Sequence, residues 1–150
     1  MLKFNQLVEN LVEFVCNDDP DRKVTSRDLK ELERYLDKIW SSLDVDIKFT
    51  RHFLDRVNDT RNKKQITVCE LEDMFTDVLK EYGGQLTRAV KSRKEDEIEG
   101  VLSDMSSNIN VPFVLEWDKK KKEFVMIKKT IMRKRGFRPN NPREKVYRVG

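Results

Sequence analysis

NINVPFVLEWDKKKKEFVMIKKTIMRK, residues 108–134, separates an all-helical reading of this chain from a mixed one. Its two ends, 108–117 and 123–134, are rich in β-branched, aromatic and other large apolar residues, and Asp118 to Lys122 between them are all charged. Two β-prone runs around a short polar joint predict an antiparallel hairpin. Pro112 lacks an N–H and favours an edge or strand-start position for the first run. In strand alternation Lys128, Thr130 and Met132 share a face with Phe124 and Met126, while Lys129, Ile131 and Arg133 share the other with Val125 and Ile127. Each face runs from apolar to basic, which predicts that one end of the sheet emerges from the core into a polyanion groove. GFRPNNPRE, 136–144, then reads as a loop and KVYRVG, 145–150, as a last strand.

Upstream the apolar period is helical. Residues 3–16 form an amphipathic pattern, broken by the turn formers of NDDPDRK. Thr25 and Asp28 have the spacing of a capping box, and Leu29, Leu32, Leu36, Ile39, Trp40 and Leu43 make the stripe of a second helix. DVDIKF, 44–49, alternates like a short half-buried strand, and Thr50 is placed to cap a helix that continues it. Thr67 and Glu70 form another capping box ahead of a helix with Leu71, Met74, Phe75 and Val78 inward, ended by Gly83. Residues 87–107 carry a weaker, charged helical pattern or a flexible excursion. The order predicts one α+β domain over 1–150. Its N-terminal helices pack on a small antiparallel sheet formed mainly by the C-terminal half, with 1–43 a helical segment and 44–150 the core.

Charge is distributed unevenly. Residues 118–150 hold 13 Lys/Arg against 3 Asp/Glu, a net of +10 in a chain whose total is +4. A basic end on an otherwise acidic protein predicts a polyanion partner, nucleic acid first. Lys128, Lys129, Arg133, Lys134, Arg135 and Arg138 are the candidates for phosphate, and Phe137 and Tyr147 for stacking on a base. Cys16 and Cys69 form no metal pattern and are expected to be free thiols of a reducing compartment. The start has acidic residues within its apolar run, which predicts neither a signal peptide nor a membrane span and points to the cytoplasm. Phosphate-loop, dinucleotide, zinc-protease and serine-elbow patterns are missing, and the acidic pairs read as solvated charge, so neither metal nor organic cofactor is expected.

His52 is the chain's single histidine and lies between Arg51 and Arg56. On a helix begun at Thr50, His52 and Arg56 share a face one turn apart, at the rim of the apolar stripe. A neutral imidazole there is suited to take a proton, and the arginines to hold a phosphate.

FTRHFLDRVNDTRN and ITVCELEDMF, followed by KTIMRKRGF, resemble a group of tailed-bacteriophage proteins. More distantly, a strand, then Thr50-x-His52-x-Leu54-x-Arg56 on a helix, then a basic terminal strand resembles the RelE-like toxin nucleases and the phage endoribonuclease RegB. The resemblance spans roughly residues 45–82 and 111–135. It implies helices on a small antiparallel sheet and RNA cut without a metal. His52 would be the base, with Arg56, Lys129 and Arg133 stabilising phosphate charge. A second histidine, used by RegB-like enzymes, is missing here, which leaves Lys129, Tyr147 or water as the acid. Residues 1–43 lie outside the resemblance, as a partner-binding or dimerising addition. Two functions follow as expectations: an RNA-binding protein of phage or toxin type that is a metal-independent endoribonuclease, or a non-enzymatic nucleic-acid-binding, virion or host-takeover accessory protein. RNA is expected over DNA, in the host cytoplasm.

Overall fold

The computed structural model describes residues 16, 18–41, 45–92, 97–118, 120, 123–128, 130–139 and 144–150. The expected helix over 3–16, Leu43 and the candidate Lys129 therefore lie outside the described residues, Cys16 apart.

The first described helix, α1, runs Ser26–Trp40. Its capping box forms as the sequence predicts: the Asp28 N–H donates to Thr25 Oγ1 at 3.1 Å, and the Thr25 N–H to Asp28 Oδ2 at 2.9 Å. Leu32, Leu36, Ile39 and Trp40 are fully buried, against strand β1 (Val45–Phe49) and helix α3 (Val68–Ser92). The segment ahead of residue 44 thus supplies part of this core.

At the edge of the sheet, β1 would leave one row of amides unpaired. Carboxylates of α1 reach them instead: the Ile47 N–H donates to Asp37 Oδ1 at 2.6 Å, and Glu33 accepts from the Phe49 N–H. The position has an electrostatic consequence. Burial, with Asp46 and Glu33 adding like charge, pushes the Asp37 carboxyl up to about 7 despite that N–H. A carboxyl raised in the fold stabilises it fully below the ordinary carboxylate range, and the contribution is lost as pH rises through about 7. We expect Asp37→Asn, which keeps the acceptor oxygen, to be more stable than the parent at pH 8 by about 1 kcal/mol once solvent screening is allowed for, with the difference shrinking as pH falls from about 7 and gone below the ordinary carboxylate range. Thermal unfolding of both proteins across that range checks it.

Thr50 starts helix α2 (Arg51–Val57), its hydroxyl accepting from the Phe53 N–H at 3.1 Å. α3 opens on the second capping box, Thr67 with Glu70. It does not stop at Gly83, however, and continues through both glycines to Ser92. Gly83 is buried, and Tyr82 reaches from the same turn to the Arg148 carbonyl at 2.8 Å. Packing over the sheet outweighs a helix penalty of about 1 kcal/mol per glycine.

The remaining strands are β2 (Glu97–Asp104), β3 (Ile109–Asp118), β4 (Glu123–Lys128), β5 (Met132–Arg133) and β6 (Lys145–Val149). The order is β1-β4-β3-β2-β6, with β5 on β3. The α+β class stands, with a mixed sheet: β3 pairs antiparallel with β2, β4 and β5, while β1 runs parallel to β4 and β6 to β2. β2 falls where a charged helix or excursion was expected. Its Ile98, Gly100 and Leu102 are buried, but acidic neighbours and a glycine dilute the alternation. A Cβ on Gly100 would stand 3.0 Å from the Phe113 ring, so the glycine makes room for that side chain. Pro112 sits inside the central strand, not at an edge or start. β4 pairs with β3 from Phe113 onward and β5 only at 109 and 110, so residue 112 falls in the gap between partners on that side.

Two cysteine thiols expected free are joined instead. Cys16 and Cys69 form a disulfide with a Cα separation of 5.0 Å, linking residues 53 apart in sequence. Spacing in the chain carried no sign that the start of α3 meets residue 16, and the thiol argument for a reducing compartment goes with it.

Two expected nucleic-acid contacts lie in the core. Tyr147 is 1% exposed, its ring 5.2 Å from Tyr82 and 5.9 Å from Phe113. Lys128 is fully buried; its Nζ lies 4.8 Å from the centre of the Phe75 ring and 5.8 Å from Trp40 and Phe113, with Met126 Sδ against it. The alternation of β4 was right. The error was to let that face emerge into solvent, because Trp40 and Phe75, from α1 and α3, cover it.

Among the described residues no helix is long and apolar enough to cross a membrane.

Candidate functional site

Helix α2 ends in polar joints that fix its position against β5. The Asp59 carboxylate caps a 3-10 turn, Thr60–Asn62, by accepting the Arg61 N–H at 2.8 Å. Asn62, 5% exposed, donates to the Arg56 carbonyl at 2.8 Å and accepts the Arg133 N–H at 3.0 Å. One buried amide thus ties the end of the His52 helix to β5, across 71 positions of sequence. This junction is what brings the two candidate regions together.

Between them lies an open cleft of about 850 Å³. It is lined by His52 and Arg56 from α2, by Asp59 and Arg61 to Lys64 from the turn that follows, and by Thr130 to Arg135. Among the described residues that line it, Arg56, Arg61, Lys63, Lys64, Arg133, Lys134 and Arg135 face one carboxylate, Asp59. That carboxylate is already engaged by Arg61 at 2.7 Å and Arg56 at 3.1 Å. Lys63, Lys64, Lys134 and Arg135 are exposed. Water-exposed cations gathered in a concave surface focus a positive potential and attract polyanions.

The backbone is strained at the same place. Lys63 has φ 66° and ψ −44°, and the Lys64 N–H donates to the Asn62 carbonyl at 2.7 Å. This is a γ-turn of the rare positive-φ kind, which costs on the order of 1–3 kcal/mol and persists only where its surroundings hold it. Asn62, anchored on both sides, does so. The turn projects two lysines side by side at the cleft.

Apart from Lys129, which lies outside the described residues, each predicted site residue has a definite place. His52 is exposed in the cleft, and its Nε2 accepts from Arg56 Nε at 3.3 Å. Arg133 lines the cleft but is not free to hold a phosphate. Its guanidinium donates to Glu70 at 2.8 and 3.0 Å and to the carbonyls of Ser107, Gln65 and Lys64 at 2.8, 3.2 and 3.3 Å. All five donors are committed. Lys134 and Arg135 are at the rim, while Phe137 and Arg138 line a smaller neighbouring cavity. Arg51 is exposed and does not line the cleft. Lys128 and Tyr147 are in the core, as above.

Sequence reading missed Arg61, Lys63 and Lys64, in the stretch DTRNKKQ, 59–65. Their density of charge immediately after the His52 helix was the available signal. Among the described residues no group of three or more His, Cys, Asp or Glu side chains is placed to hold a metal ion. Comparison with protein-family models, curated proteins and solved structures finds no match for this chain.

Proposed function

We propose that the chain binds RNA, with backbone phosphates held in the cleft by Arg56, Lys63, Lys64, Lys134 and Arg135. The supporting observation is the excess of cations over carboxylate in one open groove, built from segments far apart in sequence. A groove of about 850 Å³ exceeds what one phosphate needs, which favours a polymer over a small anion. RNA rather than DNA rests on the likeness of Thr50–Arg56 to the RelE and RegB motif, and with it the phage or toxin setting and the host cytoplasm. A protein partner for residues 1–43 would meet the exposed face of α1, since its apolar stripe is already covered.

For such binding, each phosphate neutralised on a single strand steepens the salt dependence by about 0.7 in log–log slope. Five contacts predict roughly hundredfold weaker binding between about 50 and about 200 mM salt. Lys63→Ala with Lys64→Ala should reduce the slope by about 1.4. Fluorescence anisotropy with a labelled single-stranded RNA measures both. Failure to bind at the lower salt ends this reading.

A second reading, cleavage, is favoured by the His52–Arg56 pair. Arg56 would turn from Nε2 to a phosphate oxygen, leaving His52 to take the 2′-hydroxyl proton as that oxygen attacks phosphorus. The 5′-oxygen would leave with a proton from water, giving a 2′,3′-cyclic phosphate. Incubation with RNA in chelator, beside His52→Ala, tests it: cleavage lost in the variant supports the role, and cleavage at the parent rate removes it.

A further inference from the structure

Beside the cleft is a second cavity of about 200 Å³ that shares Lys134 and Asn108 with it. We propose that this cavity is a subsite for one unstacked nucleobase, which makes the ligand single-stranded. The inference rests on the RNA-binding reading and specifies its substrate class.

Its size is the first argument. The space is below the roughly 300 Å³ at which pockets for drug-sized molecules begin, and suits a single ring system rather than a whole nucleotide. Its lining is the second. Phe137 is half-buried, and Met105 is 55% exposed, the one large hydrophobic side chain left exposed among the described residues. Polar residues complete the lining. Asn110 is 4% exposed and donates to the carbonyls of Asn108 and Lys134 at 3.1 and 2.9 Å, while its Oδ1 accepts from Ser103 Oγ at 2.7 Å. An aromatic ring and a thioether beside satisfied polar groups form a stacking surface that tolerates any base.

The backbone gives the third argument. Gly136 has φ +68°, a left-handed conformation at the turn that leads into Phe137, and space for a Cβ there is open. No packing demand explains that glycine; the turn does. The two cavities meet at Lys134, so a phosphate held in the cleft leaves its adjoining base at the mouth of the second. A duplex keeps its bases stacked and paired and offers nothing to this cavity.

The test uses the full chain, a single-stranded RNA, the same strand with one abasic position, and its duplex. Phe137→Leu keeps an apolar side chain while removing the ring, and Phe137→Ala removes both. We expect each to weaken single-strand binding by about tenfold, a typical stacking loss, without changing the salt slope. Neither should alter binding of the abasic strand when its abasic site occupies the cavity, located by scanning the position. A 2-aminopurine at that position should change its fluorescence on binding to the parent and not to Phe137→Leu. Equal weakening of intact and abasic strands, or parent binding to duplex as tight as to single strand, overturns the subsite while leaving phosphate binding intact. No binding to any of the three overturns both.

Discussion

We expect Arg133→Met to lower stability by about 2–3 kcal/mol, below the range for removing one member of a fully buried ion pair because this pair is part-buried. Arg133 is 12% exposed in its side chain and Glu70 23%. The substitution leaves the Glu70 carboxylate without its cation and the carbonyls of Lys64, Gln65 and Ser107 without their donor. Glu70 also accepts the Thr67 N–H, so the fault reaches the start of α3. Burial works to raise the Glu70 carboxyl, but the bonds from Arg133 and Thr67 and the charges of Arg133 and Lys64 outweigh it, and it titrates below the ordinary range. A carboxyl depressed in the fold contributes stability above its unfolded value and loses it as pH falls through the folded one. The deficit of Arg133→Met should therefore be largest at neutral pH and shrink in acid. Urea titration at pH 7 and pH 4 measures it, as a shifted midpoint with unchanged slope. An equally stable variant would mean that these five hydrogen bonds do not hold the cleft together.

We expect Lys128→Met to raise stability by about 1–3 kcal/mol, the usual cost of an imperfectly partnered buried polar group. The competition at this site is between solvation and the rings. Each cation–π contact is worth about 0.5–2 kcal/mol. Moving an ammonium from water into a fully dry site costs several kcal/mol even after relaxation. Burial wins, and it pushes the Lys128 amine well below the ordinary lysine range. The unfolded chain then binds a proton that the folded chain does not, between the folded value and the unfolded one. Across that window stability rises with pH, and the cost of the amine vanishes only above the ordinary lysine range. Methionine keeps the unbranched stem and the contacts with Trp40, Phe75 and Phe113 while removing the proton site. Its advantage should grow from pH 9 toward pH 6. A variant less stable than the parent would show that the three rings hold a charged ammonium after all.

The caps were legible because they are local. Thr25 with Asp28, Thr50, and Thr67 with Glu70 each satisfy a helix start within three or four residues, so sequence spacing alone specifies the bond. The stripes of α1 and α3 were legible for the same reason, since period reports which face will be buried. β2 was harder to read because Gly100 is chosen to fit Phe113, a partner 13 positions away. Gly83 misled because a helix-ending residue is tolerated where the sheet packs beneath it.

Of the candidate site, the sequence by itself determined the helix that carries His52 and Arg56, and the supply of cations in the last third of the chain. Tertiary structure decided which of those cations face water. Alternation along β4 says only that Lys128 and Met126 share a side; whether that side is dry depends on Trp40 and Phe75. Likewise the pairing of Arg133 with Glu70, 63 positions away, turned an expected phosphate ligand into a structural tie. Side-chain direction is a local property of backbone geometry, but solvation depends on whatever the rest of the chain places opposite.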